Sequence, residues 1–286
     1  MTQRHRIRRR DLCLGSFLLA GASAAGGQSV PRQEAGFEAL FDGTSLRGWK
    51  QQPRTLSRPS LGKWTVENGV IIGAQDPPRV GSYLVTEGTF EDFELQIEAN
   101  PDWPADTGIM LRTVAQGNVG FQVHVDHRPH GDIGGYYGNG LAGFRANAYA
   151  LNAEKGKDGR LLRLVAEEIG DLAARVPLDF VAPAAVFLKI WKPAGWNHFR
   201  VRSVGALPYL TTWINGEKIS ELDTAKIKLP GYDPKAVLEK IGRTGHIALE
   251  VHDNDAQMGN DRWGPGALCR WRNISIRKLP EGSPNN

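Results

Sequence analysis

Residues 120–127, GFQVHVDH, alternate apolar Phe121, Val123 and Val125 with polar Gln122, His124 and Asp126. A period of two belongs to a β-strand with one buried and one free face, so this segment predicts a strand that displays three polar side chains in a row. IALEVHD at 247–253 repeats the pattern, with Ile247, Leu249 and Val251 inward and Glu250 and His252 outward. TGIMLRT at 107–113 puts Gly108, Met110 and Arg112 on one side.

Further strands are expected at 93–99, 186–191, 198–203, 209–214 and 269–277. Asn68-Gly69 and Asn215-Gly216 each stand between apolar runs, the strongest short signal of a hairpin turn. Residues 234–241 predict a short helix, with Asp233 as its cap and Pro234 in its first position. Residues 154–176 admit either a short helix or two strands. Many strands without alternating helices predict an all-β chain, a two-sheet antiparallel β-sandwich of the jelly-roll type with one or two short helices in connections. One domain is expected over residues 36–280, followed by a tail at 281–286. Nothing in the sequence sets the oligomeric state.

The first thirty residues read as an export signal with a short linker. Five arginines between Arg4 and Arg10 precede an apolar run from Leu12 to Ala20, and Ala22-Ser23-Ala24 fits a signal-peptidase site. Arg9-Arg10 also fits a twin-arginine signal, so both export routes remain open. The run is shorter than the roughly 20 residues of a stable membrane anchor. The whole chain has 35 basic and 31 acidic residues, and residues 1–24 hold five Arg and one Asp, which leaves 30 of each after cleavage. The expected periplasmic or secreted protein is formally neutral, which speaks against a nucleic-acid partner. It keeps only Cys269 and therefore no internal disulfide.

FEALFDGTSLRGW at 37–49, WTVENGVIIG at 64–73, FEDFELQIEA at 90–99, TGIMLR at 107–112, GFQVHVD at 120–126, WNHFRV at 196–201, WINGEKI at 213–219 and RWRNISIRKL at 270–279 follow one another in order. In this the chain resembles the 3-keto-disaccharide hydrolase domain family. The resemblance implies a concanavalin A-like sandwich, secreted and acting on carbohydrate, with a ligand groove on the free concave face. The polar rows of 120–126 and 247–252 would line that groove. It also implies the chemistry: a sugar oxidised at C3 has an acidified C2 hydrogen, a base removes it, the group at C1 leaves, and water adds back. Such a reaction needs a base, a proton donor and stabilisation of the enolate.

Asp126, His124, Glu250 and His252 are the expected acid and base groups, with Arg112 and Gln122 as positioning groups and Arg112 or a cation on the enolate oxygen. The stretch 127–147 holds six glycines with Tyr136, Tyr137 and Arg145, and it predicts a long loop offering aromatic platforms and polar groups to a small saccharide or glycoside. Trp103 and Trp263 are expected to close the other side, whereas Trp64, Trp191 and Trp213 are expected in the core. Direct hydrolysis by Asp126 and Glu250 is disfavoured, because the E-x-D-x-x-E arrangement of retaining glucanases in this fold is missing. A divalent metal is compatible with the His and carboxylate groups, but no H-E-x-x-H or C-x-x-C spacing singles out ligands, and no other cofactor is indicated. A non-catalytic lectin-like module stays as the alternative, since a groove of aromatics and carboxylates serves binding as well as cleavage.

Overall fold

The computed structural model describes Met1 and residues 34–284; the expected export signal lies outside the described residues, apart from Met1. Residues 35–286 form one compact unit. Two main antiparallel sheets make up the fold. The nine-stranded sheet runs Phe180–Val181, Glu217–Asp223, Tyr209–Ile214, Asn197–Val204, Phe93–Pro101, Cys269–Lys278, Val70–Ala74 and Lys63–Glu67, with Glu38–Ala39 also on Cys269–Lys278. The seven-stranded sheet runs Arg145–Ala146, Ile133–Asn139, Gly120–His127, Ala105–Thr113, His246–Val251, Ser82–Thr86 and Trp49–Pro53. Among the described residues no helix is long and apolar enough to cross a membrane.

Alternation does what it predicts. Phe121, Val123, Val125, Ile247, Leu249 and Val251 are fully buried and join Leu95, Ile97, Phe199 and Val201 of the opposite sheet in one core. Each such side chain stabilises the sandwich by about 1.5–3 kcal/mol. Both Asn-Gly turns form, with positive φ at Asn68 and Gly69 and again at Asn215 and Gly216, the pairing that matches strand twist. The helix Pro234–Ile241 begins as expected, with Asp233 accepting from the Lys235 amide at 2.9 Å.

Three expectations need correction. Residues 186–191 fall largely within the helix Ala184–Ile190, which buries Phe187 against the rings of Tyr149 at 4.8 Å and Trp191 at 5.5 Å. A short apolar run looks the same in a strand and in a buried helix. The 127–147 stretch is not one loop, because Ile133–Asn139 is a strand of the seven-stranded sheet. Its glycines are there for close approach: a Cβ at Gly138 would enter the Phe144 ring, and one at Gly135 would strike Asp132 and the Ala146 carbonyl. Trp213 is only half-buried, with Arg200 over its ring at 5.8 Å, whereas Trp64 and Trp191 are in the core. Residues 154–176 supply strands, Ala150–Lys155 pairing with Leu161–Glu167 in a separate hairpin.

Candidate active site

The free face of the seven-stranded sheet gathers the polar rows. Register places Asp106 opposite Asp126, Gly108 opposite His124, Met110 opposite Gln122, and Tyr83 opposite Glu250. Gly108 has a specific reason to be glycine: the Gln122 amide lies over it, where a Cβ would collide. Gln122 thereby reaches across the sheet and donates to Glu250 Oε2. The other oxygen of Glu250 accepts from Arg54 Nη1, which also donates to Tyr83 Oη at 3.0 Å.

His252 is locked as a neutral acceptor. Its Nε2 lies 2.7 Å from Arg54 Nη2 and 2.8 Å from Arg262 Nη1, and its Nδ1 is 2.7 Å from the Asp253 carbonyl. A guanidinium only donates and a carbonyl only accepts, so the proton of the ring sits on Nδ1. Burial pushes His252 down to about 3, and the cation of Arg54 pushes the same way. Both ring nitrogens are therefore committed.

His124 is arranged the opposite way. Its Nδ1 pairs with Asp132 Oδ2 at 2.8 Å, and Asp132 is itself held by the Ala148 and Tyr149 amides at 3.0 and 2.9 Å on Oδ1. Burial would lower His124, but Asp132 outweighs it and its affinity for a proton is raised. A carboxylate that orients one nitrogen leaves Nε2 for chemistry, the logic of acid–base dyads. Tyr137 stacks on the imidazole at 6.0 Å between ring centres, and Arg145 caps Tyr137 at 5.7 Å.

Beside His124, Asp126 and Asp106 face each other across adjacent strands, with Arg128 Nε 2.7 Å from Asp126 and 3.5 Å from Asp106. Two buried carboxylates at this range do not ionise alike. Burial first, and then the charge of Asp106, push Asp126 up to about 7. Burial also opposes ionisation of Asp106, but the positive groups around it, including Arg128 and Arg262, hold it at about 2. At neutral pH this face therefore combines an oriented imidazole, a carboxyl group poised to release its proton, and three guanidiniums from Arg54, Arg128 and Arg262.

Of the residues expected from sequence, Asp126, His124, Glu250, His252, Gln122 and Tyr137 come together here, with Arg145 behind Tyr137. Three do not. Arg112 is fully buried and pairs with Asp92 at 2.8 Å; a register shift opposite the 246–248 segment and a φ of 50° turn it away from the face. Tyr136 is buried and bonds Thr212 Oγ1 at 2.9 Å, since neighbours on a strand point to opposite sides. Trp263 is buried, with its indole donating to the Ala267 carbonyl. Trp103 stands at the strand end against His127 rather than on this face.

The residues missed are Arg54, Tyr83, Asp106, Arg128, Asp132 and Arg262. Asp106 lay within reach, two residues before Gly108 on the same alternation; Arg54 sits in a segment without any periodic signal. As to metal, no group of three or more His, Cys, Asp or Glu among the described residues is placed to hold an ion. The carboxylates here face guanidiniums, or in Asp132 two backbone amides and an imidazole, instead.

The model of the 3-keto-alpha-glucoside-1,2-lyase-like domain matches residues 36–277. No curated protein matches the chain. Among solved structures, a candidate glycosyl hydrolase from Parabacteroides distasonis is 16% identical and covers 86% of this chain and 94% of its own, with a TM-score of 0.48. The carbohydrate-binding module CBM66 from Bacillus subtilis is 11% identical over 81% of this chain and 96% of its own, at 0.43. A Bacillus subtilis protein with a galectin-like fold is 10% identical over 82% and 91%, at 0.42.

Proposed function

The chain belongs to the 3-keto-alpha-glucoside-1,2-lyase-like domain family, and on that premise we propose that it cleaves 3-keto-glycosides by elimination across C1 and C2 followed by hydration. The observation that carries the proposal is the pairing of His124 and Asp126, two neighbours on one strand face whose surroundings raise the proton affinity of both, that of the carboxyl to about 7. Enzymes place acid and base this way when one group must give a proton while the other takes one.

In this reading His124 Nε2 removes the C2 proton while Asp132 holds the opposite nitrogen. The electron pair of the C–H bond moves into the C2–C3 bond, and charge develops on the C3 oxygen. Arg54 and Arg262 supply the positive field that this oxygen needs, the role that the sequence alone assigns to Arg112. Glu250 and His252 hold these two guanidiniums in place, so they position rather than transfer protons. The enolate collapses, the C1–O bond breaks, and Asp126 gives its proton to the leaving oxygen. Water then adds across the new C1–C2 double bond with the two roles reversed, giving net hydrolysis. The sugar ring would lie against Tyr137. Residues 4–24 support export of the protein before it acts.

The test is incubation with a 3-keto-glucoside beside its unoxidised parent, with released sugar followed over time. Cleavage of the keto sugar alone is the expected result. Equal cleavage of both would overturn the eliminative route, and binding without cleavage of either would make the protein a lectin-like module.

A further inference from the structure

A cavity of about 870 Å³ opens at the end of the sandwich, between the Pro101–Pro104 turn, the tip of the 150–167 hairpin and the Gly264–Ala267 loop. Ligand sites are commonly of this size. The same 252–267 segment that sends Arg262 to the polar face lines this cavity with its following residues, yet none of the acid–base groups named above opens into it.

His127 lines the cavity and is 1% exposed. Its Nδ1 lies 2.9 Å from the Asp102 carbonyl and must donate to it, while Nε2 is buried and has no partner. Burial keeps the ring neutral by lowering it to about 4, so Nε2 is an unused acceptor. An unmet buried acceptor costs stability and calls for an incoming donor such as a hydroxyl. Trp103, half-buried, stands edge to face with His127 at 5.0 Å, and Leu162, also on the lining, is 59% exposed.

The charges are uneven. Asp102, the acidic group of the lining, is spent on Arg270 at 2.7 Å and on the Leu268 amide at 2.9 Å. Lys155 has no partner among the described residues, and Arg160 has only the exposed Asp158 at 4.0 Å. Together these leave an apolar platform, a buried hydroxyl acceptor and a cationic rim.

We propose that this cavity is a second saccharide site, selective for an acidic sugar: the ring packs on Trp103 and Leu162, a hydroxyl donates to His127 Nε2, and the carboxylate lies between Lys155 and Arg160. The proposal does not depend on the reaction assigned to the polar face.

The experiment is calorimetric titration with a glucuronyl-glucose disaccharide and its neutral glucosyl-glucose counterpart, with the Trp103 indole N–H resonance followed in parallel. The acidic sugar should bind more tightly and shift that resonance. His127→Phe, which keeps the aromatic packing, should weaken both sugars about tenfold. The double variant Lys155→Ala/Arg160→Ala, exposed and safe for folding, should erase the preference for the acidic sugar only. Asp126→Asn, on the polar face, should leave the sugar-induced shift of the Trp103 resonance unchanged. Absence of saturable binding to the intact protein overturns the proposal, as does binding that ignores both cavity variants or leaves the Trp103 resonance unmoved.

Discussion

The two sheets carry the same kinds of charged residue on their outer faces and use them in opposite ways. On the nine-stranded sheet, Glu94 is buried and receives Arg200 at 2.6 Å, Arg202 at 2.9 Å and Arg277. Burial works against its charge, but Arg200 and Arg277 win and its carboxyl is held below the ordinary range. On the seven-stranded sheet Asp126 also has an arginine beside it, yet its carboxyl rises to about 7, because burial raises it and Asp106 across the strand adds to the rise instead of opposing it. Counting charges on a strand does not distinguish these cases. What separates a structural ion cluster from a poised acid is which charge lies opposite, and cross-strand register sets that.

The sharpest way to break this comparison is to remove one member from each side. Asp126→Asn and His124→Ala should each lower kcat/KM on a 3-keto-glucoside by about 10²–10⁴ while the far-ultraviolet dichroism stays that of the wild type. If both kept full turnover, the seven-stranded face would be as structural as the other. Glu94→Gln should do the reverse: three guanidiniums lose their anion, the free energy of unfolding from denaturant titration falls by about 1–3 kcal/mol, and turnover remains.

The pH dependence sharpens the same contrast. Asp126 must hold its proton to act as acid, so kcat should decline on the alkaline side with a limb near 7. On the acid side activity should fall as His124 takes up a proton that it must lack as a base, at a pH above the ordinary imidazole value of 6.5. A flat profile between pH 6 and 8 with chemistry rate-limiting would contradict the assignment. The smallest effect concerns stability. His127 is depressed to about 4 in the folded protein against 6.5 ordinarily, so the unfolded chain takes up its proton first as pH falls. Its contribution is complete above about 6.5 and is lost progressively down to about 4. The drop in Tm between pH 7 and 4 should therefore be shallower in His127→Phe than in wild type.

Much of the fold was legible in local patterns. The strand at 209–214 matches to the residue, those at 93–101, 105–113, 120–127, 197–204, 246–251 and 269–278 to within two, and both Asn-Gly hairpins form. Those features depend on neighbours in the chain, through the period-two alternation and the need for positive φ in a tight turn. The same patterns missed Ser82–Thr86, which is buried on both sides and shows no alternation, and Ile133–Asn139, whose glycines read as a loop until the packing that requires them is seen.

The candidate site divides along the same line. Alternation alone was enough to put Gln122, His124 and Asp126 on one side of their strand and Glu250 and His252 on one side of theirs, because a strand has only two sides. It misled at Arg112, where a bulge reverses the sides, and at Tyr136 and Trp263, whose ring size suggested a platform while their places in the strand and loop made them core. Which histidine carries the proton was decided only in three dimensions. Asp132 lies eight residues from His124, and Arg54 lies 198 residues from His252. A proton affinity reports the charges within a few ångströms, and in a sandwich of crossing strands most of those charges arrive from distant parts of the chain.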